Sequence, residues 1–143
     1  AVVSVEERHF EWLGDRIVTR SMAHVHRVLK GNTADGQRIE IVTLGGNADG
    51  VAMRVDGEAH LQPGESYLVF LDPTPFGFRV TGTAQGCLHL TPGARGPLIE
   101  ADVVALHLVS RQDGRLVSAA GPLPLPRPLD EVVREVEGYL RAP

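Results

Sequence analysis

Three short segments constrain the fold of this chain most: VHRVLKG at 25–31, the double glycine Gly45-Gly46, and PGESYLVFL at 63–71. The first and last couple a β-branched or apolar run to a turn-forming glycine, and the pair between them supplies a left-handed loop. They read as successive strands of one small antiparallel β-barrel. PGESYLVFL is apolar on both faces after its first strand residue, which predicts a central, buried strand. The three segments specify a scaffold and carry no catalytic constellation.

The remaining strands are placed around them. Residues 1–12 read as a first strand with Val3 and Val5 on one face, followed by a turn at Leu13-Gly14-Asp15. A long second strand is predicted over 16–30. Ile17, Thr19, Met22, Val25, Val28 and Leu29 break strict alternation there, as a β-bulge or strongly coiled strand would require. Gly31-Asn32 and Asp35-Gly36 mark a hairpin loop, and 37–44 alternates cleanly with Ile39 and Ile41 on one side. A flexible or left-handed loop at 45–50 leads to a short strand at 51–55. The segment 78–81 is expected to pair with 67–71, and 87–90 to form a further strand. Residues 99–110 fit strand or helix, and the Asp113-Gly114 turn favours a hairpin.

A composition break follows. GPLPLPRP at 121–128 reads as a stiff, extended strap. Beyond it, Leu129, Val132, Val133, Val136 and Leu140 recur at helical spacing, with Asp130 and Glu131 well placed at the N-terminal end of the dipole. The predicted organisation is a β-barrel over 1–120, the strap at 121–128, and a C-terminal helix over 129–143 packing on the barrel, as a single domain.

Composition bounds the function. A chain of 143 residues, 43% hydrophobic and 22% charged, is ordinary for one folded domain. A net charge of -4 and only 5% aromatic residues disfavour nucleic-acid binding. The single cysteine, Cys87, excludes an intrachain disulfide and a thiolate zinc cage. No apolar run is long enough for a membrane-spanning helix, and no signal-peptide pattern is present in this stretch. The abrupt strand at 1–5 suggests that upstream residues were removed.

The search for reactive groups is mostly negative. There is no GxSxG elbow, no HExxH helix, no phosphate loop and no GxGxxG after a strand. Cys87 and His89 fall on one strand face, about 7 Å apart by strand rise, where a buried thiol beside a chance neighbour is the simpler reading. His24 and His26 form an i, i+2 pair and are the weak metal candidates; a site would need further ligands from His9, His60 or a carboxylate. Otherwise they belong to a polar stripe, and no metal or other cofactor is expected. The stretch 47–50, with Asp56 and Glu58 nearby, lacks the ordered carboxylates of a calcium loop and reads as a turn with solvated acids. The candidate binding residues are therefore Gly45, Gly46, Asn47 and Asp49 in one loop, and Pro75 and Phe76 in another.

VxxVLKG closing the second strand, a glycine loop after the third and GExYLVFL as the fourth together resemble netrin-like domains. These share an OB-type barrel with the tissue inhibitors of metalloproteinases. The motifs IVTR (17–20), VLKG (28–31), Gly45-Gly46, PGESYLVFL and Gln85-Gly86 are also similar to those of a group of exported bacterial proteins of unassigned activity. The resemblance covers roughly 1–90 and implies a rigid, exported barrel whose loops meet another protein. It does not imply the metalloproteinase inhibitors' own mechanism, because residue 1 is alanine rather than a zinc-chelating cysteine.

The expected function is a non-enzymatic protein-binding module of the bacterial cell envelope or exterior. It would work through the two loops, with the helix face as a further contact surface. A loop-based protease inhibitor and a metal-dependent protein using the His24/His26 face are the alternatives.

Overall fold

Alternating apolar and polar residues over 2–27 and 38–44 build the long strands around which the rest of the chain is arranged. The computed structural model describes residues 1–101, 109–118 and 126–142. In chain order the strands are β1 (Val2–Leu13), β2 (Arg16–Arg27), β3 (Arg38–Leu44), β4 (Gly46–Ala48), β5 (Val51–Met53), β6 (Ser66–Val69), β7 (Leu71–Thr74) and β8 (Gly77–Val80). A 3-10 turn at Thr83–Gly86 precedes β9 (Cys87–Thr91). Then come β10 (Leu98–Ala101), β11 (Val109–Gln112), β12 (Arg115–Ser118), β13 (Arg127–Pro128) and one helix, α1 (Leu129–Arg141).

The chain is mainly β with a C-terminal helix, as expected, but the sheet is not closed into a barrel. Nine strands follow the order β13-β10-β9-β6-β1-β2-β3-β8-β7, leaving β13 and β7 at the edges. The sheet is mixed rather than antiparallel, because β3 runs parallel to β8 through Ile41 and Phe78. PGESYLVFL does supply the central strand: β6 lies between β1 and β9. β6 is hydrogen-bonded on both sides, and β9, β10 and β13 extend the sheet beyond it. β6 and β7 are halves of one extended run interrupted only at Phe70. There the amide donates to Gly86 O and the carbonyl accepts from Thr81 N–H. β7 therefore pairs with β8 as Leu71↔Val80 to Thr74↔Gly77, meeting the expected partner segment 67–71 only at its end, Phe70 and Leu71.

The expected irregularity in the first hairpin exists at different positions. In β2 the core face runs through Ile17, Thr19, Ser21, Ala23 and Val25, all buried and strictly alternating. Met22, which had suggested a phase shift, points to the other face. The slips lie between Val5 and Glu7 on β1, leaving Glu6 as an extra residue, and beside Val2/Val3, where His26 is extra on β2. After the first slip Arg8, Phe10 and Trp12 stand opposite Ser21, Thr19 and Ile17. They occupy the face that Val3 and Val5 held before it.

The sheet is buried on both faces along β1 and β6. Val3, Val5, Val25, Ile41, Tyr67 and Val69 join the larger core, while Val2, Leu68, Leu90 and Ile99 form a second cluster. Leu129 and Val132 of α1 cover this second cluster, and Val133 is buried beside them. The narrow apolar stripe read from the sequence thus docks back on the sheet, and the full burial of Val133 is worth about 1.5–3 kcal/mol. Leu129 N–H donates to Pro97 O at the helix start, and Arg27 pairs with Glu137 at 2.6 Å.

Two segments differ from their reading. β2 ends at Arg27, so VLKG is not strand. Val28 N–H donates to Asp35 Oδ1, while Val28 and Leu29 pack against the first and second cores. The last two residues of the strap form β13 and pair with β10, a sheet edge where proline's missing donor is tolerated. The ends of the ambiguous stretch 99–110 are strand, in β10 and β11, while its residues 102–108 and residues 121–125 of the strap lie outside the described residues. Asp113-Gly114 does turn the β11–β12 hairpin, with φ of 50° and 79°, the positive pair of a type I′ turn.

Candidate functional site

Gly45, Gly46, Asn47 and Asp49 come together as the first half of a hairpin instead of a flexible loop. β4 pairs with β5 from Gly46↔Met53 to Ala48↔Val51. The turn between them, Asp49-Gly50, has φ of 50° and 78°, again type I′. The same dipeptide at 113–114 had been read as a hairpin turn, so the signal for this one was present in the sequence.

The hairpin lies across the core face of β1 and β2. Gly45 N–H donates to Ile17 O at 2.8 Å, and the buried Thr19 hydroxyl donates to Gly45 O at 2.7 Å. A Cβ at Gly46 would stand 2.4 Å from Phe10 Cδ1, and Gly46 holds φ at 137°. The double glycine is therefore a contact surface for the strand beneath it. Asn47 and Asp49 are exposed on the hairpin.

Sequence reading missed what surrounds this hairpin. Phe10, Trp12 and Leu13 on β1 and Val51 on β5 are 37%, 43%, 41% and 47% exposed. Phe10 and Trp12 share a face of β1 by the two-residue period, and β4 abuts Phe10. The available signal was FEWL at 10–13, large apolar residues placed where a strand runs out beyond its core. Under the hairpin is a pocket of about 200 Å³ with Arg8, Phe10, Thr43, Arg54 and His60 among its walls.

Pro75 and Phe76 lie elsewhere. Arg20 Nη1 donates to Phe76 O at 3.2 Å, and the guanidinium also binds Glu11 at 2.5 Å and Glu40 at 2.6 Å. Only 15% of the Arg20 side chain is exposed. The hydrogen bond to Glu11, outweighing burial and aided by Glu40, raises the guanidinium pKa above its ordinary value. Pro75 is exposed and Phe76 is 59% exposed. The two predicted loops thus do not form one surface.

The His24 and His26 rings meet edge-on with centroids 5.0 Å apart, and His26 Nε2 shares a 2.8 Å hydrogen bond with Ser4 Oγ. Among the described residues no group of three or more potential ligands gathers around them or elsewhere. Cys87 is buried in the larger core. His89 instead binds Glu65 at 2.8 Å and lies against Tyr67. Glu58, read as a solvated turn acid, is buried, with its carboxylate accepting from Ala59 N–H. Asp56 stays at the surface, 3.5 Å from Arg54. At the other end of the molecule an apolar groove of about 770 Å³ runs between Leu29, Phe70, Phe78 and the helix residues Val136 and Leu140. Among the described residues no helix is long and apolar enough to cross a membrane.

Comparison with known proteins finds no matching family model, no matching curated protein and no matching solved structure.

Proposed function

We propose that this chain is a non-enzymatic protein-binding module of OB/netrin-like type, working in the cell envelope or exterior. It would meet its partner with the surface made by the β1–β2 tip and the β4–β5 hairpin. The topology supports the type: β1, β2, β3, β8 and the run 66–74 make a five-stranded set, in keeping with the partly open, five-stranded OB design. Export and an envelope location rest on the motif resemblance alone.

One observation carries the binding role. The only tryptophan of the chain is 43% exposed on the same face of β1 as the 37%-exposed Phe10, on a hairpin stiffened by β4. Exposed aromatic residues with an arginine alongside, as Arg8 lies over Phe10, are the composition of interface hot spots. A surface fixed by strand pairing and by a buried hydroxyl–carbonyl bond loses little conformational freedom on docking.

The test is affinity capture from native envelope extract with wild-type protein, Trp12→Ser and Phe76→Ser. A partner retained by wild type and Phe76→Ser and lost by Trp12→Ser is the expected result. Capture insensitive to Trp12 overturns the assignment of this surface.

A further inference from the structure

The pocket beneath the β4–β5 hairpin has a charge opposite to that of the chain. Although the protein carries a net charge of -4, three nitrogen-bearing side chains, Arg8, Arg54 and His60, line this pocket and no carboxylate does. Arg8 contacts neutral groups: its Nη1 lies 3.5 Å from Leu61 O, and the guanidinium carbon sits 5.4 Å from the Phe10 ring centroid. Among the described residues no carboxylate lies within ion-pair distance of it. Arg54 has only a surface contact with Asp56, both side chains being more than three-quarters exposed, a pairing worth little. Thr43, buried on the floor side, adds a hydroxyl.

Leu44, Met53, Val55, Ala59 and Leu61 contribute apolar side chains, Thr19, Gly45 and Gly46 add polar and backbone surface, and Phe10 joins the cavity to the exposed apolar rim. Cations beside several aliphatic side chains suit a carboxylate carried on an aliphatic stem. Arginine's planar fork matches such a carboxylate in a bidentate manner.

We infer that this pocket is the specificity site of the contact surface and receives a glutamate side chain of the partner, with apolar neighbours of that glutamate lying on Phe10 and Trp12. This rests on the proposed role of the hairpin surface. It adds the chemistry recognised: an acidic residue flanked by apolar ones.

The test uses the blocked peptides acetyl-Leu-Glu-Leu-amide and acetyl-Leu-Gln-Leu-amide and inorganic phosphate. Each is titrated into isotope-labelled protein and followed through the amide signals of Gly45 and Gly46 and the emission of Trp12. We expect saturable shifts with the glutamate peptide, at least tenfold weaker binding of the glutamine peptide, and weakening with added salt. Arg8→Gln and Arg54→Gln should each weaken binding severalfold or more. Arg95→Gln, an exposed cation outside the pocket, should leave it unchanged. Equal binding of the two peptides, no saturable shift in the folded protein, or tighter binding of phosphate overturns the inference. Peptide binding that survives while partner capture ignores Trp12 leaves the pocket standing and removes the contact-surface reading. The converse pattern removes the pocket alone.

Discussion

Thr19 and Arg20 are consecutive on β2 and anchor two different loops on opposite faces of the sheet. Thr19 Oγ1 donates to Gly45 O at 2.7 Å, and Arg20 Nη1 donates to Phe76 O at 3.2 Å. Strand geometry makes the division unavoidable, since successive side chains leave a strand in opposite directions.

Thr19→Val keeps the shape of a buried side chain and removes its donor. The loss should cost about 1–3 kcal/mol, because Gly45 O would be left without its hydroxyl partner. Urea denaturation measures the cost. Hydrogen exchange should accelerate at the amides of 46–53 and not at 77–80; equal acceleration at both would contradict the separation of the loops.

Arg20→Met leaves Glu11 and Glu40 without their shared cation and frees the Phe76 carbonyl. We expect faster exchange around 77–80 and a stability loss of about 1–3 kcal/mol, the range for hydrogen bonds to charged groups. The pH dependence of the guanidinium itself has a definite sign. Its pKa is raised on folding by Glu11 first and then Glu40. Its contribution is therefore complete below the unfolded value and lost only as pH rises through the folded one. That window lies above the range in which guanidinium groups ordinarily titrate. The stability difference between wild type and Arg20→Met should thus show no decline between pH 7 and pH ~10 traceable to Arg20.

Gly46→Ala introduces a methyl at 2.4 Å from Phe10 Cδ1 in a backbone with φ of 137°. Both effects act together, and a loss of more than about 1 kcal/mol is expected. The Phe10 ring must move, so Trp12 emission should shift as well. Unchanged thermal stability and emission would show that β4 does not lie on β1 this closely.

Ser21 is fully buried, and among the described residues its Oγ has no hydrogen-bond partner. Ser21→Ala removes a desolvated polar atom without changing the packing much. It should leave stability unchanged or raise it by about 1–3 kcal/mol. A clear destabilisation would mean that the hydroxyl has a partner in solution, such as an internal water.

Val133→Ala empties a nearly closed contact between α1 and the sheet. A loss of about 1.5–3 kcal/mol is expected. Glu137→Gln, breaking an exposed pair with Arg27, should cost about 0–1 kcal/mol. Calorimetry on both variants separates packing from surface charge as the source of helix docking.

Much of the strand content and the helix could be read locally. Leu129 to Leu140 repeats at helical spacing, and Tyr67, Leu68 and Val69 announce a strand covered on both sides. Sheet closure could not be read, because it depends on which side of β6 the later strand β9 takes, a long-range pairing with no local signature. The site was half legible. Gly45 and Gly46 stood out as unusual residues, while Phe10 and Arg8 looked like members of an ordinary alternating strand. Their importance comes from the hairpin that lies over them and from a register slip, and neither is a property of the residues themselves. Glu58 shows the reverse error: a carboxylate in a turn looks solvated until tertiary packing closes over it.

The extra residue at Glu6 has an arithmetic consequence. Every side chain from Glu7 to Leu13 takes its side of the strand from the number of residues preceding it. Were Glu6 to take a regular place in the ladder instead of bulging, with the pairing of Val3 and Val5 kept, the hairpin end would evert. Glu7, His9 and Glu11 would then face the cavity that Arg8, Phe10 and Trp12 now furnish. The pocket would exchange Arg8 for acidic neighbours without a single substitution. The lining of this cavity is therefore encoded in parity as much as in residue identity.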